Sequence, residues 1–407
     1  MGSDRADLVV IGAGTIGGWA SYFARSLGAE RVIVVDRGRA GDGASSRAAG
    51  IVRAQGGTPT TVALGRWSID FYSRQHETLG TDSGFRELGY LILAGTADEV
   101  EAGRRRVAMQ QAQGVHAEWL DPDEAVKVNP CLAPQSFSGA SYLSTDGCID
   151  RLSNVRAYSL AMQQAGVELR EHTVFLGLRL AQTAGAPRVI GIDTSRGPIG
   201  APRVILTGGP ALREVGRAAG ISVPVGAVRH QVAVTEPDPA FDVERQAMGF
   251  DLSAGLYWRL EEGGLLFGMS NPDERPGPAR LIDWPYLEEM RQRLAGLMPV
   301  TAGLALRKVW AATIDYTSDH QPILGPALTP DGVRIEGVTI AAAGGHGMMW
   351  GPAVARIAAD LALAGRTDVA DVTDLGLDRF DSRGLSRIPT DPIALPFPPA
   401  ASDETAP

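Results

Sequence analysis

The segment that most constrains the fold is DLVVIGAGTIGG, residues 7–18. An apolar run, Leu8 to Ile11, is followed by Gly12, Gly14 and Gly17 and then by a helical pattern. The order predicts strand, tight turn and helix. The first glycine permits the turn, the second lets the backbone approach a pyrophosphate, and the third lets the helix pack closely on the strand. The helix N-terminus would offer free N–H groups to the phosphates.

A second apolar run, Arg31 to Val35, ends at Asp36, about 20 residues beyond the last glycine. A carboxylate at this position can hydrogen-bond ribose hydroxyls. Because strand, helix, second strand and acid occur in the expected order, the sequence predicts dinucleotide binding. The alternative is a glycine-rich turn in an unrelated α/β protein.

The composition narrows the class of protein. A chain of 407 residues with 44% hydrophobic and 21% charged residues is expected to form about two domains around a sizeable core. The net charge of −9 argues against nucleic acid as a partner. Cys131 and Cys148 lack metal-ligand spacing, so we expect ordinary thiols and no metal site. The polar start, MGSDRAD, lacks a signal-peptide pattern, and we expect a cytoplasmic protein without a membrane span.

Two further apolar strands run into glycine turns, RVILTGG near Gly208 and VTIAAAGGHG near Gly345. Ligands bind at the carboxyl ends of strands in open α/β sheets, so these turns predict one nucleotide domain assembled from separated pieces. Between them, VPVGAVRHQVAVTEP alternates like a long strand, and residues 255–269 predict a hairpin with its turn at Gly263 and Gly264. The predicted fold class is a two-domain α/β (α+β) protein. A Rossmann-like dinucleotide-binding domain would carry an inserted substrate domain built on an antiparallel sheet.

The predicted domain boundaries follow from the same patterns. The dinucleotide-binding domain is predicted to be discontinuous, with residues 1–84, 146–222 and 320–380. The substrate-binding domain would consist of residues 85–145 and 223–319. Residues 381–407 form a proline-rich tail that we expect to be extended or disordered.

Four motifs together resemble the D-amino-acid oxidase superfamily of FAD enzymes, near its sarcosine oxidase and dimethylglycine dehydrogenase branch. They are VVIGAGTIGG with Asp36, the loop GASSRAAGIVRA, VILTGG, and AAGGHGMMWGPAVA. The resemblance covers roughly residues 6 to 370, and its motifs are specific for the family but not for a substrate. It implies FAD extended across the nucleotide domain beneath a substrate sheet. No cysteine stands near Trp310, where some members link the flavin, so we predict non-covalent FAD.

The resemblance also implies which residues contact FAD. They form the phosphate turn, the adenosine end, the loop toward the flavin, a backbone contact to adenine, the second glycine turn and the distal turn. A helix N-terminus at the distal turn would stabilise negative charge on the flavin ring. The implied set is Gly12, Ala13, Gly14, Thr15, Ile16, Gly17, Asp36, Arg37, Gly43, Ala44, Ser45, Ser46, Arg47, Ala49, Gly50, Ile51, Phe175, Thr207, Gly208, Gly209, Gly344, Gly345, His346, Gly347 and Met348.

The implied chemistry is oxidation of a C–N bond. A neutral amine gives hydride to flavin, the imine hydrolyses, and O2 is the expected acceptor. Arg53 matches an arginine that helps sarcosine oxidases hold the substrate carboxylate. Two lysines of sarcosine oxidases are missing: the one that promotes reaction with oxygen is Leu266 here, and the one that helps bind the carboxylate is Met349.

The candidate catalytic and substrate-binding residues are Arg53, Tyr257, Arg259 and His346. Tyr257 and Arg259 share a strand face, so Arg259 is a second candidate anchor for an anion. An apolar pocket suited to an amine larger than sarcosine is predicted from Tyr257, Trp258, Met348, Met349 and Trp350. His230 and His320 are predicted to be core or loop histidines.

We therefore expect an FAD-dependent oxidoreductase that acts on a secondary or N-alkyl amine or amino acid. Three alternatives remain at this point. One is an FAD dehydrogenase that passes electrons to a protein or quinone, possibly within a complex, which Leu266 favours. The others are a nicotinamide-dependent dehydrogenase and a non-catalytic binding protein on the same scaffold.

Overall fold

The computed structural model describes residues 4–182, 185–241, 246–278, 281–393 and residue 397. In these ranges the strands are β1 (Leu8–Ile11), β2 (Val32–Val35), β3 (Ile51–Val52), β4 (Arg86–Glu87), β5 (Tyr90–Ala94), β6 (Glu118–Leu120), β7 (Gly139–Leu143), β8 (Gly147–Cys148), β9 (Glu168–Arg170), β10 (Phe175–Ala181), β11 (Arg188–Thr194), β12 (Ile199–Gly200), β13 (Val204–Leu206), β14 (Gly226–Thr235), β15 (Met248–Asp251), β16 (Leu256–Glu261), β17 (Gly264–Met269), β18 (Leu306–Tyr316), β19 (Ile323–Leu328) and β20 (Arg334–Ala342). The α-helices are α1 (Thr15–Ser26), α2 (Pro59–Ser73), α3 (Gln75–Leu79), α4 (Ala97–Ala112), α5 (Pro122–Val128), α6 (Arg151–Gln164), α7 (Leu212–Ala218), α8 (Trp284–Leu297) and α9 (Gly351–Ala364).

The first sheet has the strand order β10-β11-β20-β13-β1-β2-β9, with β12 paired to β11 and β19 to β20. Its central strands, β20, β13, β1, β2 and β9, run parallel. All residues of β1, β2 and β13 are buried, as expected for parallel strands that are covered on both faces. The carboxyl ends of β1, β13 and β20 therefore meet at one edge, where the three glycine turns lie.

Different elements pack on the two faces of this sheet. On one face α1 packs against α6 and α9, and Trp19 and Tyr158 fill the space between α1 and α6. On the other face, residues of β1 and β13 pack against β10 to β12 and the start of α7, including Ile192 and Leu212. The helix α1 is thus held between the sheet and two further helices.

The second sheet has eight strands in the order β18-β14-β17-β16-β15-β5-β7-β6, antiparallel except for the β15–β5 pair. Along β16 the side chains alternate, so Trp258 packs with Phe267 and Met290 of α8 on one face. Tyr257 and Leu266 lie on the opposite face, in the hydrophobic cluster shared with α1 and α9. The predicted fold class, a Rossmann-like parallel sheet with a second, antiparallel sheet, is confirmed.

The hairpin that carries Tyr257 turns one residue earlier than predicted. Glu262 and Gly263 have φ angles of 50° and 77°, and Gly264 is already the first residue of β17. Positive φ at both central residues fits the right-handed twist of the strands, so this hairpin requires Glu262 in the left-handed region.

The C-terminal segment packs on the body of the protein. Its described part contains no α-helix, which agrees with an extended course, but Asp391, Ile393 and Phe397 are buried. The predicted freedom of the tail therefore does not hold for these residues. The rest of the predicted tail, residues 394–396 and 398–407, lies outside the described ranges. None of the helices in the described part of the chain has the length and apolar character needed to cross a membrane.

A fully buried ion pair fixes the loop after β18 to this C-terminal region. Arg379 Nε lies 2.7 Å from Asp319 Oδ2, and the two side chains are 0% and 1% exposed. Burial opposes ionisation of Asp319, but the hydrogen bonds and charge of Arg379 outweigh it and lower the pKa of Asp319. Arg379 also donates to the carbonyl of Leu375 at 2.6 Å, so the guanidinium is satisfied inside the protein.

We expect Arg379→Ala to lower the free energy of unfolding by about 3 to 5 kcal/mol, because Asp319 would remain buried without its partner. The matched control is Arg383→Ala, which removes an exposed pair with Asp381 and should cost less than about 1 kcal/mol. Urea unfolding of both variants measures the difference. Equal losses in the two variants would show that the Asp319 pair does not fix this region.

Candidate functional site

The phosphate turn depends on close backbone approach at the ends of β1 and β13. Gly12 has φ +98°, and a Cβ on it would lie 2.8 Å from Thr207 Oγ1. A Cβ on Gly17 would lie 1.9 Å from the carbonyl oxygen of Gly12, so only glycine allows α1 to start this close to the strand. The helix begins at Thr15, after Gly14, and its N-terminal end opens into the main cavity.

Asp36 holds the turn from the end of β2. One carboxylate oxygen accepts the N–H of Ala13 at 2.7 Å, and the other accepts the N–H of Gly38 at 2.7 Å. Ser45 supports the same region, because its Oγ accepts the N–H of Thr15 at 3.0 Å. Asp36 and Ser45 both line the cavity.

One cavity of about 940 Å³ joins the nucleotide turns to the antiparallel sheet. At one end it is lined by Asp36 and Arg37, and at the other by Tyr257 and His346. The predicted site residues that line it are Gly12, Gly14, Thr15, Ile16, Gly17, Asp36, Arg37, Gly43, Ala44, Ser45, Arg47, Ala49, Gly50, Ile51, Arg53, Phe175, Thr207, Gly208, Gly209, Tyr257, Gly345, His346, Gly347 and Met348. Four predicted residues lie outside the lining: Ala13, Ser46, Gly344 and Arg259.

Arg259 lies on the strand face of Tyr257, but its guanidinium is already occupied. It is 2% exposed, pairs with Glu261 at 2.6 Å, and donates to the carbonyls of Ala49 and Leu260. These contacts tie the loop around Ala49 to the substrate sheet. The structure therefore does not support Arg259 as an anchor for a substrate anion.

Two aromatic residues of the predicted pocket also lie elsewhere. Trp258 faces α8, because neighbouring residues of a strand point to opposite faces, and its Nε1 donates to the carbonyl of Ala247 at 3.3 Å. Trp350 is fully buried behind His346, with the two ring centroids 4.2 Å apart. Met348 and Met349 do line the cavity, as predicted.

The distal turn brings His346 to the cavity. Gly344 and Gly345 have φ angles of 57° and 91°, so the chain reverses immediately after β20. His346 Nδ1 lies 3.1 Å from the carbonyl oxygen of Gly344. Burial and the charge of Arg53 lower the pKa of His346 to about 3, so this imidazole is neutral at pH 7.

His230, predicted to be a core or loop histidine, is buried but also lines the cavity, a position that no local sequence pattern indicated. Its Nε2 lies 2.6 Å from the hydroxyl oxygen of Tyr257, and its Nδ1 lies 2.8 Å from Ser270 Oγ. Burial lowers the pKa of His230 to about 4 and raises that of Tyr257 well above its usual range. Both groups are therefore neutral, and both line the cavity. The strand register that pairs β14 with β17, and β17 with β16, brings them together.

Arg53 brings a positive charge into this neutral surrounding. It is 4% exposed, lines the cavity, and donates to the carbonyls of Gln55 and Ile393. Among the described residues, no carboxylate forms an ion pair with Arg53. The buried carboxyl of Asp146 is near enough for the charge of Arg53 to lower its pKa, although burial outweighs this effect and raises that pKa to about 7. Because no ion pair occupies the Arg53 guanidinium, it is suited to bind an anionic group of a ligand.

The residues present fit FAD. The phosphate turn has no Cβ where the backbone must approach a pyrophosphate, and its N–H groups lie at the N-terminus of α1. Asp315 also lines the cavity, and its Oδ2 has no hydrogen-bond partner among the described residues. Burial raises the pKa of Asp315. Neither cysteine lines the cavity, and the described ranges contain no cluster of three or more His, Cys, Asp or Glu that could hold a metal.

A dinucleotide turn in a parallel sheet, with a buried polar chamber under an antiparallel sheet, is the arrangement expected of a flavoprotein oxidoreductase. The comparison with protein families agrees. The chain belongs to the DAO family of FAD dependent oxidoreductases, which matches residues 7–361. The resemblance stated from the motifs and the predicted FAD cofactor are thereby confirmed. Individual cofactor contacts, and the absence of a covalent link, stay predictions.

Several known proteins are similar to this chain. A 4-methylaminobutanoate oxidase (formaldehyde-forming) from Paenarthrobacter nicotinovorans is 28% identical over 93% of this chain and 46% of its own length. Sarcosine oxidase subunit beta from Rhodobacter capsulatus is 28% identical over 81% of this chain and 79% of its own length. The crystal structure of glycine oxidase from Geobacillus kaustophilus has a TM-score of 0.78 at 25% identity, covering 93% of this chain and all of that one. The chain thus spans less than half of the methylaminobutanoate oxidase.

We expect Gly12→Ala to weaken FAD binding at least about tenfold, because the added Cβ would push on Thr207 at the phosphate turn. Gly28→Ala is the matched control. Gly28 has nearly the same φ, +99°, but a Cβ there would meet no atom within 4 Å. Both variants carry the backbone cost of about 1 to 2 kcal/mol for a left-handed residue.

The dissociation constant for FAD, measured by quenching of flavin fluorescence, separates the two effects. Equal affinities in the two variants would mean that close approach at Gly12 does not shape the FAD site.

Proposed function

We propose that this chain, with FAD bound, oxidises the C–N bond of a secondary or N-alkyl amino acid, after which the imine is hydrolysed. The bound flavin supplies the chemistry of hydride acceptance. The observation that carries the proposal is the unpaired Arg53 guanidinium in the same cavity as the neutral pair His230 and Tyr257. The names of the similar proteins support it, since methylaminobutanoate, sarcosine and glycine each combine an amine with a carboxylate.

Arg53 would bind the substrate carboxylate. Its positive charge also disfavours a second positive charge nearby, and burial adds to this effect. The substrate nitrogen is therefore held as the neutral amine, the form that can give up hydride. His230, His346 and Tyr257 do not oppose this, because each is neutral at pH 7.

His230 and Tyr257 would orient the amine. One hydrogen bond of 2.6 Å joins Nε2 to the hydroxyl oxygen, and Ser270 Oγ contacts the other ring nitrogen. Because Ser270 fixes the ring, the Tyr257 hydroxyl has a defined direction. A carboxylate anchor and an oriented hydroxyl together place the C–H bond that breaks.

The electron acceptor has two candidates. O2 is the expected one, and a dehydrogenase with another acceptor is the second, which Leu266 favours. Leu266 is fully buried on the sheet face shared with Tyr257, so this position supplies no cation beside the flavin. Reoxidation of the substrate-reduced protein by O2, compared with reoxidation by an artificial electron acceptor, decides between them.

We expect Arg53→Ala to raise the dissociation constant of N-methylalanine by about 10- to 150-fold, the range for a lost hydrogen bond to a charged group. N-methylethylamine, which differs from it by the missing carboxylate, should be affected less than about threefold. Anaerobic flavin reduction at varied substrate concentration gives both constants. An equal rise in the dissociation constants of both compounds would show that Arg53 does not bind the carboxylate. A flavin that no amine reduces would overturn the proposed function.

A further inference from the structure

The C-terminal segment reaches the substrate end of the cavity. Ile393 is 2% exposed and lines the cavity together with Arg53. Its carbonyl oxygen accepts a hydrogen bond from Arg53 Nη2 at 3.3 Å, although 340 positions separate the two residues. Neither residue belongs to the nucleotide-binding turns, so the contact lies at the substrate end of the cavity.

Asp391 anchors the segment just before Ile393. Its N–H donates to the carbonyl of Asp319 at 2.9 Å, and its carboxylate accepts from Thr61 Oγ1 at 3.1 Å and from the N–H of Ile393 at 2.8 Å. A Cβ on Gly57 would lie 2.1 Å from Asp391 Oδ1, so the segment lies directly on the start of α2. These contacts leave little freedom for the position of the Ile393 backbone.

A second anchor lies at Phe397. Its ring stacks on Tyr316 and on His320, each with centroids 5.0 Å apart. A Cβ on Gly345 would lie 3.0 Å from the same ring, so Phe397 packs on the distal turn next to His346. The described C-terminal residues are thus fixed at the two chain segments, around Arg53 and around His346, that close the substrate end.

We propose that residues 389–393 and Phe397, here named the C-terminal wall, determine substrate specificity through the side chain of Ile393. The inference rests on the proposed function. Ile393 lines the same cavity as Arg53, and its carbonyl bonds to the guanidinium that would bind the carboxylate. In this proposal the Ile393 side chain therefore faces the substituent on the carbon that carries the carboxylate. A branched aliphatic group there restricts the size of the substituent on that carbon and favours aliphatic over polar substituents.

The test compares Ile393→Ala with the unchanged full-length FAD-bound protein, using sarcosine, N-methylalanine and N-methylleucine. The ratio of kcat/KM for N-methylleucine to that for sarcosine should rise at least about tenfold, because one missing methylene in an apolar pocket already changes selectivity by that factor. The matched control is Leu385→Ala, which shortens an exposed residue of the same segment and should leave the ratio unchanged. An unchanged ratio in Ile393→Ala overturns the proposal.

A binding measurement separates this inference from the proposed function. Acetate, propionate and 4-methylpentanoate carry no amine, and their binding is followed by the perturbation of the flavin absorbance. The affinity for 4-methylpentanoate relative to acetate should be higher in Ile393→Ala than in the unchanged protein, even if no amine reduces the flavin. The same relative affinity in both proteins would overturn the proposed role of the C-terminal wall. If the alanine variant fails to retain FAD, Ile393→Val, which removes one methylene, decides by the same ratios.

Discussion

The contact between α1 and the end of β1 is the constraint on which the rest of the structure depends. With 1.9 Å between a Cβ on Gly17 and the Gly12 carbonyl, any side chain at Gly17 would push the helix away from the sheet. The N-terminus of α1 would then leave the point where β13 and β20 also end. The position of α1 therefore determines whether the N–H groups at its N-terminus face the same cavity as Asp36 and the distal turn.

The substrate end depends on a different balance, that of burial against charge. Burial keeps His230, His346 and Tyr257 neutral, whereas Arg53 keeps its charge because a guanidinium does not deprotonate in proteins. The substrate end of the cavity therefore places the charged Arg53 among neutral hydrogen-bonding groups. Under the proposed function, such a site would bind an anionic carboxylate and leave an adjacent amine uncharged, which is the electrostatic requirement of hydride loss from a C–N bond. Arg259 adds no second cation, because Glu261 neutralises it.

Features encoded by local pattern were predictable from the sequence, and features that depend on strand register were not. The turn at Gly12, the acid Asp36 and the distal glycines follow from short motifs whose geometry is nearly independent of the rest of the chain. The contact between His230 and Tyr257 spans three strands and depends on their register. The ion pair of Arg259 with Glu261 does not, because the two residues stand two positions apart on one strand and share a face. The prediction that Trp258 lines the pocket is wrong because the period of two along a strand puts Trp258 on the face opposite Tyr257.

The proline-rich composition of the C-terminal segment predicted its lack of regular structure but not its fixed position. Proline-rich stretches form neither helices nor central strands, and the described part indeed forms neither. The lack of regular structure does not imply freedom, however, because tertiary hydrogen bonds can satisfy an extended backbone just as a sheet does. Asp391 accepts from Thr61 Oγ1 and Asp319 accepts the N–H of Asp391, so the segment is ordered by partners far away in the sequence. The buried Asp319–Arg379 pair holds one of those partners in place, and in this way a structural ion pair also supports the residue that lies against Arg53.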